Sequence, residues 1–206
     1  MVSISRRSLA LMALITTFVF PVARLKAAAS ADPKAMVEGL VRQALALIRN
    51  QKLDDGARDR QFTALLDQNF DIPRISRFVL GRYWNAASAD DLKAFNDLFE
   101  KWVVRIYSSR FKDYSGETVA VTGARPESDT SYVVQSQLIH PDGSPPAQVN
   151  WQVNKGNNGL KIVDVEVEGV SMALTEREEF ASIIQRNGGS VASLNQAMQQ
   201  KLASNN

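Results

Sequence analysis

The sequence contains no cysteine and a single histidine, His140. Without cysteine there is no disulfide framework and no thiol chemistry, and no lipobox cysteine is available to carry a lipid anchor. A lone histidine without cysteine partners also argues against the usual histidine- and cysteine-rich zinc sites. Because so little reactive chemistry is left, we expect neither a metal ion nor an organic cofactor.

An excess of charge of either sign is also missing. The 24 Lys and Arg residues exceed the 22 Asp and Glu residues by two, but four of the basic residues and no acid lie within residues 1–29. Residues 30–206 therefore hold 20 basic and 22 acidic residues, a formal charge of −2. No basic stripe with interleaved aromatic residues is present, which argues against a nucleic-acid partner.

Residues 1–29 have the pattern of a cleavable export signal. Arg6-Arg7 gives a basic start, Leu9–Phe20 a twelve-residue apolar stretch, and Ala27–Ala29 a small-residue cleavage site. Spanning a bilayer takes about twenty apolar residues, so a membrane anchor is disfavoured. The arginine pair also resembles a twin-arginine signal. We therefore predict that residues 30–206 form one domain in the periplasm.

Apolar residues recur at helical spacing in the first half of the mature sequence and again near its end. Helix capping residues and proline mark where several of these segments begin. The predicted helices cover residues 33–50 and 56–69, a short segment opened by Asp71 and Pro73, a long segment capped by Ser88, a segment opened by Thr175, and residues 190–201.

From Thr118 onward the apolar period changes to two, which is typical of strands. Turn signals rich in glycine and proline divide this region into four predicted strands. The last strand alternates most clearly, with Val163, Val165 and Val167 predicted on one face. Short turns between strands indicate antiparallel pairing. We therefore predict an α+β fold with a curved antiparallel sheet of about four strands wrapped by helices.

The segment Gly169–Ala173 nearly matches the G-x-S-x-G turn of serine hydrolases. In that motif the catalytic histidine follows the serine, whereas His140 precedes Ser171. Serine catalysis is therefore disfavoured, and we expect Gly169 to allow a sharp exit from the strand and Ser171 to bond local backbone groups. His140, at a strand end beside a turn, is expected to be solvated or hydrogen-bonded.

Asp164, Glu166 and Glu168 form an acidic row along the last strand. Paired carboxylates could bind a cation or act as acid and base. Alternate residues of a half-exposed strand are expected to be polar in any case. We therefore favour the interpretation that these carboxylates simply form the exposed face of the strand. A docking surface for a basic partner is the remaining alternative.

The long helix after Ser88 carries a wide aromatic stripe from Phe95 to Phe111. Such a stripe usually belongs to a packed core. Tyr132 and Trp151 add large side chains from the sheet, and large side chains that do not all interdigitate favour a cavity. The sequence therefore leaves open a packed core and a cavity between the helices and the sheet.

Several segments in their order along the chain resemble the MlaC family of periplasmic phospholipid-binding proteins, also called toluene-tolerance auxiliary proteins. The most specific are Val79–Trp84, the helix after Ser88, Pro141–Pro146, Asp164–Met172 and Phe180–Ile184 with Gly188-Gly189. The resemblance implies an NTF2-like or cystatin-like sheet wrapped by helices around an apolar cavity. It implies a carrier, not an enzyme, that shuttles phospholipid between inner and outer membranes and maintains outer-membrane lipid asymmetry.

The resemblance also implies partners for the carrier. These are phospholipid, an inner-membrane ABC transporter complex with an MCE-domain subunit, and an outer-membrane lipoprotein complex, and a monomer is expected. Hopanoid is an alternative cargo, because Tyr114–Glu117 and Gln185–Gly189 resemble a branch that accompanies hopanoid biosynthesis. An NTF2-like enzyme acting on a hydrophobic small molecule would need an Asp-His or similar pair in the pocket, and a structural adaptor would have a filled core.

Apolar and aromatic residues at element boundaries and on the sheet are the predicted pocket lining. They are Leu80, Tyr83, Trp84, Phe99, Trp102, Ile106, Trp151, Val165, Val167, Val170 and Met172. Arg82, Arg105 and Arg110 are candidates for the mouth of the pocket or for a docking surface.

Overall fold

The computed structural model describes residues 32–110 and 113–204, apart from the side chain of Arg110. The helices and strands are α1 Pro33–Arg49, α2 Asp55–Asn69, α3 Ile72–Leu80, a 3-10 helix Gly81–Ala86, α4 Ala89–Arg110, β1 Thr118–Pro126, β2 Ser131–Ile139, β3 Ala147–Gly156, β4 Gly159–Val167, β5 Val170–Ser171, α5 Met172–Arg186 and α6 Val191–Ser204. Within the described ranges, no helix is long and apolar enough to cross a membrane. The predicted export signal lies outside the described residues.

Two predicted helix starts are confirmed by their capping contacts. The Asp71 carboxylate accepts the backbone N–H of Arg74 at 3.1 Å, at the start of α3. The Ser88 hydroxyl accepts the backbone N–H of Asp91 at 3.1 Å, at the start of α4. Caps of this kind stabilise a helix by about 1 kcal/mol. The Asp71 backbone N–H also donates to the carbonyl of Ile162 at 2.9 Å, which ties the start of α3 to strand β4.

The five strands form one antiparallel sheet in the order β1-β2-β3-β4-β5. The fifth strand, which the sequence pattern does not predict, has only two residues and folds back on β4. The connecting turn has positive φ at Glu168 (52°) and at Gly169 (78°). Positive φ at both turn residues is the geometry of the two-residue hairpin turns that match strand twist. The expected sharp exit at Gly169 is therefore confirmed.

The predicted start of α5 at Thr175 is wrong by about one turn, since the helix begins at Met172. Ser171 is the capping residue, and its hydroxyl accepts the backbone N–H of Leu174 at 3.0 Å. The Thr175 hydroxyl instead donates to the Ser171 carbonyl at 2.8 Å, inside the first turn. The expectation that Ser171 bonds local backbone groups is confirmed.

The predicted alternation of β4 is interrupted at Val163. The pairing with β3 shifts so that Val153 lies opposite Ile162 while Gln152 lies opposite Asp164. Ile162, which is 0% exposed, therefore takes the buried position that the alternation gives to Val163. An extra residue in one strand is a β-bulge, which bends the strand and increases its twist.

One hydrophobic core, the helical cluster, joins α3, α4, α5 and α6. Its buried residues are Val79, Leu80, Phe95, Leu98, Phe99, Trp102, Ala173, Phe180, Ile184, Val191, Leu194 and Met198. Phe95 and Phe180 are 0% exposed, and their rings meet edge to face with centroids 5.7 Å apart. Burial of each such side chain stabilises the fold by roughly 1.5–3 kcal/mol.

A second core, the sheet cluster, lies between α1, α2 and one face of the sheet. Its buried residues are Val37, Leu40, Val41, Val134, Val153 and Ile162. Ten half-buried apolar residues pack against these six: Met36, Leu45, Leu65, Phe70, Val119, Val121, Tyr132, Trp151, Leu160 and Val165. The predicted α+β class is confirmed, and the described residues from 32 onward form a single unit.

Candidate functional site

An open cleft of about 490 Å³ lies where the end of α3 and the 3-10 helix meet the start of α5. Its lining residues are Leu80, Arg82, Tyr83, Leu174, Arg177, Glu178 and Ala181. The cleft is called the arginine cleft below. The cleft lies between two of the segments that resemble the family, Val79–Trp84 and the start of the helix into which Asp164–Met172 leads.

Gly81 allows the walls of the arginine cleft to approach closely. Its φ of +51° is one that side chains with a Cβ rarely adopt. A Cβ at this position would lie 2.8 Å from Nε of Arg177 and 3.0 Å from Cζ of the same side chain. The absence of a side chain at Gly81 therefore lets the Arg177 guanidinium lie against the backbone that precedes Arg82.

Both arginines of the cleft rest on aromatic rings. The guanidinium carbon of Arg82 lies 5.0 Å from the ring centroid of Tyr83, and that of Arg177 lies 5.2 Å from the ring centroid of Phe78. Among the described residues, neither arginine forms an ion pair with a carboxylate. Their positive charges are therefore not neutralised by a direct partner.

The Tyr83 hydroxyl is held at the edge of the cleft by two donors. Nη2 of Arg82 donates to it at 3.0 Å, and Nε2 of Gln185 donates at 3.3 Å. The hydrogen bond from Arg82 is the largest cause that lowers the pKa of Tyr83, followed by the bond from Gln185. Both bonds stabilise negative charge on the phenol oxygen, so the cleft edge is electropositive.

The floor of the arginine cleft belongs to the helical cluster. Leu80 lines the cleft and is only 1% exposed.

Deeper in the helical cluster, the indole N–H of Trp102 donates to Oε1 of Glu176 at 2.7 Å. Burial raises the pKa of Glu176 to about 7. Nζ of Lys201 lies 5.7 Å from the Trp102 ring centroid, so charged groups from two helices border this tryptophan.

The face of the sheet that packs on α1 and α2 carries a polar anchor among half-buried apolar residues. Nε1 of Trp151 donates to the Ser136 hydroxyl at 2.9 Å, and that hydroxyl donates to the Val149 carbonyl at 3.0 Å. Ser136 is 0% exposed, so these two hydrogen bonds fix the orientation of the Trp151 indole. The apolar part of Trp151 is left half-buried beside Val165.

The structure divides the predicted pocket residues among three places. Six belong to or pack against the helical cluster: Leu80, Tyr83, Trp84, Phe99, Trp102 and Ile106. Trp151 and Val165 pack against the sheet cluster. Val167 pairs with Val170 in the β4–β5 hairpin, where Val170 is 53% exposed, and half-buried Met172 begins α5. Their contact with lipid stays a prediction.

The acidic row of β4 is engaged within the protein. The Asp164 carboxylate accepts the hydroxyl of Ser171 and, at 3.0 Å, the backbone N–H of Ala173. Glu166 accepts side-chain amides of β3 at 3.4 and 3.5 Å, and Glu168 accepts the backbone N–H of Gln148. No metal-binding group of acidic or histidine side chains occurs among the described residues.

Sequence reasoning misses several residues of the arginine cleft, above all Arg177 and Leu174. Arg177 stands in the run Glu176–Glu179, which has the composition of a solvated helix face. Leu174 is 46% exposed, and the cleft is built only when α5 packs against α3. Of the three arginines predicted near a mouth or docking surface, Arg82 lines the cleft, while Arg105 lies half-buried on α4. The side chain of Arg110 lies outside the described residues.

Comparison with known proteins gives one family and several relatives. The model of the family described as MlaC protein matches residues 38–200. The chain is 24% identical over 113 residues to the intermembrane phospholipid transport system binding protein MlaC of Haemophilus influenzae, covering 53% of this chain and 53% of that protein. It is 22% identical over 193 residues to the toluene tolerance protein ttg2D of Pseudomonas putida, covering 91% of this chain and 86% of that protein. The alignment thus spans only about half the length of the Haemophilus relative.

The fold has a counterpart of solved structure. The phospholipid-binding protein from Ralstonia solanacearum, solved in complex with a phospholipid, matches with a TM-score of 0.72 and 27% sequence identity. The match covers 84% of this chain and 98% of the Ralstonia protein. The arrangement of helices and strands described above is therefore one that accommodates a phospholipid in another protein.

Proposed function

The chain belongs to the MlaC protein family, and from that membership we propose that it binds the acyl chains of a phospholipid in an apolar pocket and carries the lipid through the periplasm. The observation that carries the proposal is the match to the phospholipid-bound Ralstonia protein over 84% of this chain and 98% of that one. A carrier needs no catalytic residue, and we propose none.

Hydrocarbon energetics explain why such a carrier needs a large apolar surface. A diacyl lipid carries about thirty methylene groups, and at about 0.8 kcal/mol each their exposure to water costs on the order of 20–25 kcal/mol. Both chains must therefore be covered almost completely during transfer, while the polar headgroup can remain in water. Half-buried apolar side chains are the surface that such a ligand would cover.

We propose that acyl chains contact the half-buried side of the sheet cluster, including Trp151 and Val165. Here ten half-buried apolar residues surround six buried ones, whereas the helical cluster has twelve buried residues against ten half-buried. Phe99 of the helical cluster is only 2% exposed, so other protein atoms already surround it. Contact of lipid with Phe99 would therefore require α4 to shift, whereas Trp151 is partly accessible without such a shift.

We further propose that the carrier exchanges lipid with an inner-membrane ABC transporter complex containing an MCE-domain subunit and with an outer-membrane lipoprotein complex. Support comes from the Haemophilus relative, whose name assigns it to an intermembrane phospholipid transport system. The exchange would serve to maintain the lipid asymmetry of the outer membrane. Residues 1–29 would direct the chain to the periplasm as a cleavable signal.

Extraction of the purified protein tests the proposal directly. The mature protein, residues 30–206, is purified from cells, its folding is verified by circular dichroism, and its organic extract is analysed by mass spectrometry. We expect about one phospholipid per protein, and an identically tagged periplasmic protein of another family serves as the control. A folded protein whose extract contains no more lipid than the control would overturn the carrier proposal. Recovery of hopanoid in place of phospholipid would keep the carrier and change its cargo.

The enzyme alternative has little support at His140. This residue is half-buried at the end of β2, and the carboxyl group that interacts with it is Asp142 in the following exposed turn. An acid–base pair inside an apolar pocket is what the alternative requires. The mass-spectrometric experiment also addresses it, because turnover of a hydrophobic substrate would leave altered molecules in the extract.

A further inference from the structure

The arginine cleft combines features that suit an amphiphilic anion. Two guanidinium groups, Arg82 and Arg177, and the Tyr83 hydroxyl line it together with the apolar side chains of Leu80, Leu174 and Ala181. Glu178 contributes one carboxylate, so the lining carries two positive charges and one negative charge. A site of this composition attracts an anion that also has an apolar part.

The state of the two arginines argues that they are available to a ligand. Among described residues each makes a cation–π contact and neither makes an ion pair. A cation–π contact uses the face of the guanidinium, so the in-plane N–H donors of Arg177, and those of Arg82 other than the one bonded to the Tyr83 hydroxyl, remain available to an anion. Guanidinium groups bind phosphate and carboxylate by paired N–H donors in the plane of the group. Two such groups in one cleft also repel each other, and a bound anion would relieve that repulsion.

The surroundings of the cleft favour an anion attached to hydrocarbon over a bare ion. Phe78 is 42% exposed and Leu174 is 46% exposed, and both belong to the small group of large apolar side chains that are exposed in the described part of the chain. The Phe78 ring contacts the Arg177 guanidinium, and Leu174 lines the cleft together with Arg177. A ligand with an alkyl segment next to its phosphate would cover these side chains, and the removal of this apolar surface from water favours binding.

We propose that the arginine cleft binds the phosphate group of an amphiphile through Arg82 and Arg177, with Gly81 as the residue that positions Arg177. The proposal rests on the proposed function in taking the phosphate from a phospholipid. Free phosphate offers the same chemistry, so the experiment has separate arms for the two sources.

Binding is measured by isothermal titration of the mature protein with three probes. Dihexanoyl phosphatidylglycerol carries phosphate and short chains, dihexanoylglycerol carries the chains alone, and sodium phosphate carries the anion alone. The double variant Arg82→Gln with Arg177→Gln is compared with Arg125→Gln, an exposed arginine on β1 at the opposite edge of the sheet from β5. We expect the double variant to bind dihexanoyl phosphatidylglycerol at least about tenfold more weakly, with dihexanoylglycerol unaffected and Arg125→Gln indistinguishable from the parent.

Two further variants test the geometry without removing either arginine. Gly81→Ala places a Cβ within 2.8 Å of Arg177 and should weaken binding of the phosphate probe by several-fold. Glu178→Gln removes the negative charge of the lining and should tighten binding by a few-fold, more so at low salt. A general loss of structure would weaken binding in both variants, whereas the proposal predicts weaker binding in Gly81→Ala and tighter binding in Glu178→Gln.

The outcomes separate the cleft from the carrier proposal. Equal affinity of the parent and the double variant for dihexanoyl phosphatidylglycerol overturns the cleft proposal, even where extracts still contain lipid. An equal loss for dihexanoylglycerol also overturns it, since the effect would then not depend on phosphate. Arginine-dependent binding of sodium phosphate as tight as that of the lipid probe supports the site and assigns it to free phosphate, and this result stands even where no lipid is extracted.

Discussion

The side chain of Glu176 lies where α4, α5 and α6 meet, and its environment changes its protonation. Burial is the largest cause that raises its pKa to about 7, and the nearby Glu179 raises it as well. The hydrogen bond from Trp102 and the charge of Lys201 lower the pKa and only partly offset the burial. The carboxyl group therefore exchanges its proton near neutral pH, in contact with the helical cluster.

This environment predicts that stability falls as pH rises towards neutrality. The folded-state pKa lies above the usual value of 4.5, so the folded protein binds the proton more tightly than the unfolded chain. The contribution is fully present below about pH 4.5 and is lost as pH rises through about 7. Glu176→Gln keeps a hydrogen-bond acceptor for Trp102 but has no proton to exchange. Between pH 5 and pH 8 we expect the free energy of unfolding of the parent to fall by roughly 1–3 kcal/mol relative to that of this variant.

Urea unfolding of the parent and Glu176→Gln at pH 5, 6, 7 and 8 measures this slope. The two proteins differ only at residue 176, so the difference between the two curves isolates Glu176. Parallel curves would show that the carboxyl group is ionised throughout and that burial does not control its pKa.

At the scale of elements, one carboxylate holds the junction of β4, β5 and α5. Asp164 accepts the Ser171 hydroxyl and the Ala173 backbone N–H, while Ser171 in turn caps α5 at Leu174. The acceptor at the start of α5 also interacts favourably with the positive end of the helix. This junction supports the start of α5 and therefore the position of Arg177 in the arginine cleft.

Replacement of Asp164 by Ala should destabilise the protein by about 2–3 kcal/mol, because a charge-assisted acceptor of two donors is lost. Glu166→Ala on the same strand is the matched control, since its contacts are side-chain amides at 3.4 and 3.5 Å, and we expect it to cost about 0.5 kcal/mol. The free energies of unfolding in urea at pH 7 give the comparison. Equal losses in the two variants would mean that the junction does not depend on Asp164.

Local signals predict the helix starts better than they predict the edge of the sheet. The caps at Asp71 and Ser88 follow from residues within three positions, and the structure confirms both. The bulge at Val163 interrupts β4 just after Ile162, whose carbonyl accepts the Asp71 N–H. That contact, like the packing that forms the arginine cleft, joins residues distant in sequence, so a period-two pattern contains no information about it.

For the whole molecule, the sheet cluster is mostly half-buried and the helical cluster is mostly buried. This difference predicts that substitutions in the sheet cluster reduce the fraction of protein that carries lipid. The sheet cluster leaves Trp151 half-buried, and its indole is oriented by Ser136. A charge there would face hydrocarbon in the loaded protein, and burial of an unpaired charge is strongly unfavourable. Ile139, which is 39% exposed at the end of β2, offers an apolar position outside both clusters.

We therefore expect Trp151→Glu to lower the fraction of folded protein that carries lipid by at least about tenfold, and Ile139→Glu to leave it unchanged. Native mass spectrometry of the monodisperse fraction measures occupancy, and circular dichroism measures folding in the same samples. Trp151→Gln, which introduces no charge, should fold like the parent and lose occupancy by a smaller factor. Full occupancy in both Trp151 variants would place the acyl chains away from the sheet cluster. The helical cluster around Trp102 would then have to open to receive them.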